Sequence, residues 1–256
     1  MRAICFYFST LSIFFISCSD KSVTPSIPKT PPYDGTIFLA PGIITADDPT
    51  SFETITTAGQ GARVMFDRRV NNWITLDAYL FSATFDDGLT IEVQVNPEFE
   101  SVELSQVQAE KYAMVIGRLP TTLRKNVQTV WIHKGTELFG GGNNNLLIHI
   151  GQADLYESDG ILEETFVHEA SHTSLDDPHA TAAGWVAAQG KDPTFISAYA
   201  RDNPTREDIA ETVLLYLAVR YGQDRISSEL EDTVLKTIPN RVKYLDELTW
   251  ELYPWK

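Results

Sequence analysis

The sequence predicts an α+β fold, because strand-like and helix-like patterns occupy different parts of the chain. Residues 36–96 alternate short apolar runs with turn residues, a pattern typical of antiparallel strands. Farther along, apolar residues recur mostly at helical spacing, interrupted by two more strand candidates at 127–133 and 145–151. We therefore expect a β-rich N-terminal region over 34–97 and a mixed sheet with several helices over 98–256.

Composition excludes several classes of protein. The chain has 256 residues, of which 43% are hydrophobic and 21% charged, as in ordinary globular proteins. The 20 lysines and arginines against 35 aspartates and glutamates give a net charge of -15, and no segment is basic enough to bind nucleic acid. Both cysteines, Cys5 and Cys18, precede the predicted fold, which excludes a scaffold held by disulfides.

The N-terminus predicts export. Residues 1–17 place Arg2 before an apolar run that ends in small residues, which is the layout of a signal peptide. The sequence Phe15-Ile16-Ser17-Cys18 resembles a bacterial lipoprotein signal, which implies that Cys18 carries a lipid outside the cytoplasm. Residues 18–33 contain four prolines and read as a tether. The alternative is an ordinary signal peptide that leaves Cys18 as a free thiol.

In the β-rich region, the strand candidates are 36–40, 63–70, 73–85 and 89–95. Asp87-Gly88 between the last two predicts a hairpin. A helix is expected over 102–119, ended by Pro120. Residues 140–145, three glycines and three asparagines, are predicted to be a loop.

Residues 168–172 read His-Glu-Ala-Ser-His, within a proline-free stretch that begins after two candidate N-caps, Ser158 and Asp159. Side chains four residues apart share one face of a helix, so His168 and His172 can bind one metal at ~2.0 to 2.1 Å. Glu169 lies beside them, where a carboxylate can act as a general base toward water. This HExxH pattern predicts a zinc site.

Three candidates exist for the third ligand. His179 follows at a longer spacing than the glycine-containing HExxHxxGxxH pattern uses, and Asp176 and Asp177 come directly at the expected helix end. Glu207 lies in a later segment. There, Thr205 with Asp208 predicts a capping box, Gly222 predicts the helix end, and Glu207 and Glu211 share a face.

An HExxH helix followed by ExxxE on a second helix resembles the gluzincin metallopeptidases, and most closely those of the anthrax lethal factor type. The resemblance covers about residues 145–222 and implies a zincin-like catalytic domain with one zinc ion. It implies Glu207 as the third ligand, with Glu211 beside it. It also implies Tyr199 as a hydroxyl that stabilises the oxyanion of the tetrahedral intermediate. Asp176 is then expected to contact the ligands rather than the metal.

Two further residues have open roles. His149 lies on the strand over 145–151, which such enzymes use as the sheet edge for a peptide substrate; it either points to the cleft or belongs to the core. Glu164, one turn before His168, either orients a ligand histidine or is solvated.

The leading hypothesis is a lipid-anchored zinc endopeptidase that acts on a protein or peptide outside the cytoplasm, touches the membrane through its lipid alone and does not bind nucleic acid. One alternative is a binding lipoprotein that keeps the metal site and cleaves nothing. Another is a zinc-dependent hydrolase of a non-peptide amide. Nothing in the sequence sets an oligomeric state.

Overall fold

The structure, a computed structural model, describes residues 30–40 and 42–256. The predicted signal peptide (1–17), the lipidation site Cys18 and most of the tether lie outside the described residues. No helix in the described part of the chain combines the length and the apolarity that crossing a membrane requires.

The fold is α+β, as predicted, and its centre is one mixed sheet of six strands in the order β1-β2-β3-β4-β6-β5. The strands are β1 (Phe52–Asp67), β2 (Asn72–Phe85), β3 (Thr90–Val95), β4 (Thr129–His133), β5 (Gly140–Gly142) and β6 (Asn145–His149). Strands β1 to β3 are antiparallel, β3, β4 and β6 are parallel, and β5 returns antiparallel to β6. Because β3 pairs with β4, the sheet joins the β-rich region to the remainder of the chain.

Nine helices are assigned within the described residues. They are α1 (Val102–Gly117), α2 (Thr121–Arg124), α3 (Ile150–Ser158), α4 (Leu162–Leu175), α5 (Ala183–Lys191), α6 (Ala198–Asp202), α7 (Asp208–Tyr221), α8 (Ser228–Thr237) and α9 (Pro239–Asp246). Helix α1 begins where the Ser101 hydroxyl accepts the N–H of Leu104, and it connects the parallel strands β3 and β4.

The core lies between the sheet and the helices. Alternate β2 residues Phe81, Ala83 and Phe85 are buried on the helical side, as the two-residue period of a strand requires. Helix α4 contributes Phe166 and Val167 to the same core and packs against α7, whose stripe of Ile209, Val213, Leu214 and Leu217 is fully buried. The sheet and α7 therefore enclose α4 on its apolar faces and leave its remaining face to a cleft.

The hairpin at Asp87-Gly88 and the helix beginning at residue 102 are confirmed, and Gly88 has the positive φ of 84° that favours glycine. The strand expected over 36–40 is wrong, since these residues form no ladder, and β1 instead starts at Phe52. The loop expected over 140–145 is also wrong, since β5 occupies its glycines and forms the sheet edge. Strand β6 is thus an inner strand, which corrects the expected edge.

The beginning of the HExxH helix also differs from the prediction. Ser158 ends the unpredicted helix α3, and α4 starts after Ile161 without a side-chain cap. Gly160, with φ of 72°, makes the turn between them. The sequence did not predict α3, because its apolar residues show no helical periodicity, and one glycine with a positive φ is enough to separate two helices.

Candidate metal centre

Helix α4 brings the two histidines of the motif to one face. Its interior contains neither proline nor glycine, and Phe166, Val167 and Ala170 anchor its opposite side in the core. His168 and His172 are one turn apart, so their rings stack edge to face with centroids 4.9 Å apart. Both Nε2 atoms consequently point to the same place.

Glu207 completes a compact group with them. The His168 and His172 Nε2 atoms are 3.2 Å apart, and Glu207 Oε2 lies 3.5 Å from the first and 3.3 Å from the second. Ligands at 2.0 to 2.1 Å from a tetrahedral zinc ion lie about 3.3 to 3.4 Å from one another. The three atoms therefore have the spacing of three corners of a zinc tetrahedron, and the two imidazoles and one carboxylate are ligands that zinc accepts.

Each histidine has a carboxylate on its other ring nitrogen. His172 Nδ1 lies 2.8 Å from Asp176 Oδ2, so its Nδ1–H is directed at that carboxylate and Nε2 is the nitrogen that faces the cluster. His168 Nδ1 faces Glu211 Oε1 at 3.7 Å. The Glu211 side chain is fully buried, and its other oxygen accepts the Ser197 hydroxyl at 2.6 Å. These contacts fix which nitrogen of each ring faces the cluster.

The electrostatics of the cluster favour a bound cation. Burial lowers the pKa of His172, but hydrogen bonds with Asp176 and Glu207 outweigh burial and raise that pKa to about 10. Burial in turn raises the pKa of Glu207, and hydrogen bonds with His168 and His172 reverse this and hold it well below its usual range. The carboxylates thus stabilise positive charge between the three ligand atoms, and a divalent cation bound there would supply that charge.

Glu207 reaches the cluster because of how α7 begins. The predicted cap at Thr205 is wrong: α7 starts at Asp208, and Glu207 occupies the N-cap position without capping the helix. Asp208 instead forms a buried ion pair with Arg241, 2.9 Å from its Nε. This pair, together with the hydrogen bond from Gln189 to Asp208 at 2.8 Å, fixes the first turn of α7 and therefore the direction of Glu207.

A cleft of about 560 Å³ opens over the cluster. Glu169 lines it beside the histidines and is half-buried. The edge strand β5 lies directly against α4 here, since a Cβ on Gly141 would be 1.9 Å from the Glu169 carbonyl oxygen. Only glycine permits this approach, which brings the sheet edge against the backbone of Glu169, the residue expected to act as the base.

Tyr199 lies on the other wall of the cleft, on α6. Partial burial and a hydrogen bond with the Glu207 carboxylate raise the pKa of its hydroxyl to about 12, so the hydroxyl keeps its proton at neutral pH. Its side chain is 40% exposed and accessible from the cleft. A protonated hydroxyl at this place can donate a hydrogen bond to a substrate oxygen.

The other residues that the sequence suggested for the site lie outside the cluster of His168, His172 and Glu207. His179 Nδ1 contacts the Tyr244 hydroxyl at 2.8 Å, away from the cluster, and Asp177 is exposed. His149 is a core residue, fully buried and stacked on His133, with Nδ1 2.9 Å from the Lys134 carbonyl oxygen.

Glu164 matches neither of its two expected roles. It is fully buried, and its two oxygens accept the backbone N–H groups of Leu39 at 2.7 Å and Ile43 at 2.9 Å. We call residues 33–40 and 42–44 the N-terminal segment. Its Thr36 and Phe38 line the cleft. Sequence reasoning missed this arrangement, because the carboxylate and its partners are more than 120 residues apart.

Comparisons with protein-family models, with curated proteins and with solved structures find no match to this chain.

Proposed function

We propose that this chain is a gluzincin-type, zinc-dependent metallopeptidase that hydrolyses a protein or peptide outside the cytoplasm, where a lipid on Cys18 would anchor it. The observation that carries the proposal is the triangle of ligand atoms from His168, His172 and Glu207, with sides of 3.2 to 3.5 Å, beside Glu169 in one cleft. A zincin-like arrangement of the active-site helix and the ligand helix is part of this proposal.

The residues fit the ion in number, type and spacing. His168, His172 and Glu207 would hold it through Nε2, Nε2 and Oε2. When bound, zinc supplies Lewis-acid chemistry: it polarises a carbonyl group and lowers the pKa of a coordinated water. Asp176 and Glu211 would keep the two imidazoles oriented.

The remaining roles belong to protein groups. Glu169 takes a proton from the attacking water and passes it to the leaving amine, as a general base that becomes a general acid. The Tyr199 hydroxyl, which bonds the Glu207 carboxylate in the structure, turns its one proton to the substrate oxygen as negative charge develops on it. The β5 edge, paired on one side with β6, offers backbone groups along which an extended peptide can add as a further strand.

The first test is the metal content of the chain from Ser19 onward, measured by elemental mass spectrometry. We expect about one zinc per chain in the parent and its loss in Glu207→Ala. Glu229→Ala, an exposed glutamate at the start of α8, is the matched control and keeps the metal. Full zinc retention in Glu207→Ala, or absence of zinc from a reloaded parent, would contradict the proposed site.

Activity is tested next on a peptide library, with Glu169→Gln as the catalytically inactive control. Cleavage by the zinc-loaded parent that Glu169→Gln abolishes supports a peptidase. A zinc-loaded parent that cleaves no peptide but hydrolyses cell-wall amides would favour the non-peptide hydrolase. Zinc binding without hydrolysis of either substrate class would favour the binding lipoprotein.

A further inference from the structure

Arg68 lies in the cleft at the turn between β1 and β2, on the β-rich side of the molecule. Its guanidinium donates a hydrogen bond to the Phe139 carbonyl oxygen at 2.9 Å, immediately before the edge strand β5. One N–H group is therefore used to position the side chain, and the others of this five-donor group stay available.

Arg68 differs from the other arginines in its partners. Among the arginines that the structure describes, every one except Arg68 forms an ion pair with an aspartate or glutamate. This holds in a chain with 35 acidic residues and a net charge of -15. An arginine held in a cleft without a carboxylate of its own is a ready partner for one from a ligand, because guanidinium and carboxylate groups pair in a bidentate manner.

Arg68 lines the same cleft as the proposed base Glu169, and Tyr156 lines it with them. Phe139, whose carbonyl oxygen holds the Arg68 guanidinium, packs edge to face on the Tyr156 ring with centroids 5.2 Å apart. Substrate atoms in the cleft can reach both groups.

The direction of β5 determines which end of a bound peptide lies near Arg68. Strand β5 runs from Gly140, next to Arg68, to Gly142, whose N–H donates to Thr173 Oγ1 on α4. A peptide added antiparallel to β5 runs the opposite way, so its C-terminal part lies toward Arg68. Gly141, between the two ends, touches the Glu169 backbone, so the middle of β5 is the part that lies next to the residue proposed as the base.

We propose that Arg68 binds a carboxylate of the substrate on the C-terminal side of the cleaved bond, and so makes acidic peptides the preferred substrate class. This inference rests on the proposed function. The carboxylate belongs either to an aspartate or glutamate side chain or to the free C-terminus of the peptide, and the guanidinium recognises the same chemistry in both.

The test uses peptides that share one cleaved sequence and differ in a single group. Three pairs carry Glu or Gln at the first, the second or the third position after the cleaved bond, one position in each pair, and a fourth pair ends in a free carboxylate or an amide. We expect the parent to prefer the acidic member of at least one pair by about tenfold in kcat/KM, the value of one hydrogen-bonded ion pair. The pair that shows the preference identifies the source of the carboxylate.

The variants are Arg68→Gln, Arg68→Lys and the control Arg63→Gln. Arg63 lies on β1, five residues before Arg68, pairs with Glu92 and does not line the cleft. We expect Arg68→Gln to lose the preference while keeping its zinc, Arg68→Lys to keep part of it, and Arg63→Gln to keep all of it. If Arg68→Gln does not fold, Arg68→Lys retains the charge and still reports a reduced preference.

A measurement of peptide binding tests the role of Arg68 independently of the proposed peptidase activity. The Kd of each peptide is measured by titration calorimetry on zinc-loaded Glu169→Gln, with and without Arg68→Gln. An Arg68-dependent preference in Kd without cleavage by the parent supports the inference and contradicts the peptidase. Cleavage or binding with equal preference in parent and Arg68→Gln overturns the inference alone, and neither cleavage nor binding of any peptide overturns both.

Discussion

Glu164 connects the stability of the fold to pH. Its carboxyl group is fully buried, and burial raises its pKa from 4.5 to about 7, although the N–H groups of Leu39 and Ile43 work in the opposite direction. Between pH 4.5 and pH 7, Glu164 is therefore mostly protonated in the native state and mostly ionised in the unfolded state. Stability from this group is fully present below pH 4.5 and is lost as the pH rises through 7.

The magnitude follows from the two pKa values. A difference of about 2.5 units corresponds to about 3 kcal/mol over the whole range, of which about 2 to 3 kcal/mol falls between pH 5 and pH 8. Glu164→Gln removes the titration. The amide oxygen of the new side chain can accept a hydrogen bond from one of the two N–H groups, but its NH₂ group cannot accept one from the other. We therefore expect the variant to be less stable than the parent at pH 5 by about 1 to 3 kcal/mol.

The measurement is urea unfolding of the metal-free chain at pH 5, 6, 7 and 8, for the parent, Glu164→Gln and the control Glu110→Gln, which removes an exposed carboxylate from α1. We expect the difference in unfolding free energy between parent and Glu164→Gln to shrink, or to change sign, by about 2 to 3 kcal/mol from pH 5 to pH 8. A difference that stays constant over this range would refute the assignment of Glu164 as a carboxyl group that ionises near pH 7 in the fold.

Three more predictions concern the cleft. Asp176→Asn is expected to weaken zinc binding about 10- to 100-fold, because the hydrogen bond to His172 Nδ1 loses its charge; a competition titration with a chromogenic chelator measures this, and unchanged affinity would exclude the orienting role. Tyr199→Phe is expected to lower kcat about 10²- to 10³-fold with zinc content unchanged; an unchanged kcat would remove the hydroxyl from the mechanism. Gly141→Ala is expected to lower the melting temperature by displacing β5, since its Cβ would meet the backbone of α4 at 1.9 Å. The control Gly190→Ala, which meets nothing within 4 Å, is expected to cost no stability, and equal melting temperatures of the two variants would contradict the close approach.

The metal cluster was the most predictable part of the molecule. The i, i+4 spacing of His168 and His172 is a local property of any helix, so the sequence was sufficient to place them on one face. The selection of Glu207 among the three candidates needed the resemblance, because no local pattern relates residues on two helices that are about 35 positions apart. In the structure, Glu207 lies with the two histidines, Asp176 contacts His172, and His179 lies elsewhere.

The sheet edge was predicted poorly, and the reason is physical. Strand prediction depends on side chains that alternate between two environments, and Gly140–Gly142 has no side chains to show such a pattern. These residues form a strand because the N–H and C=O groups of β6 need partners and because only glycine fits against α4. A glycine run between two strands, close in sequence to an HExxH helix, is thus compatible with a closely packed edge.

The region before residue 97, which the resemblance does not cover, supplies part of the cleft wall. Thr36, Phe38 and Arg68 line it together with Glu169 from α4. The N-terminal segment also contacts both walls: Glu164 of α4 accepts two of its N–H groups, and its Tyr33 and Asp34 carbonyls accept the N–H groups that start α6.

These bonds have a consequence for the chemistry. Tyr199, on α6, and Glu169, on α4, belong to different helices, so a fixed distance between the proposed hydrogen-bond donor and the proposed base requires a segment that contacts both helices. The N-terminal segment does this through backbone hydrogen bonds at each end, while Arg68 reaches the same cleft from the β1–β2 turn. The β-rich part is therefore a component of the site itself, and the substrate preference of this chain is expected to depend on residues that the HExxH pattern does not indicate.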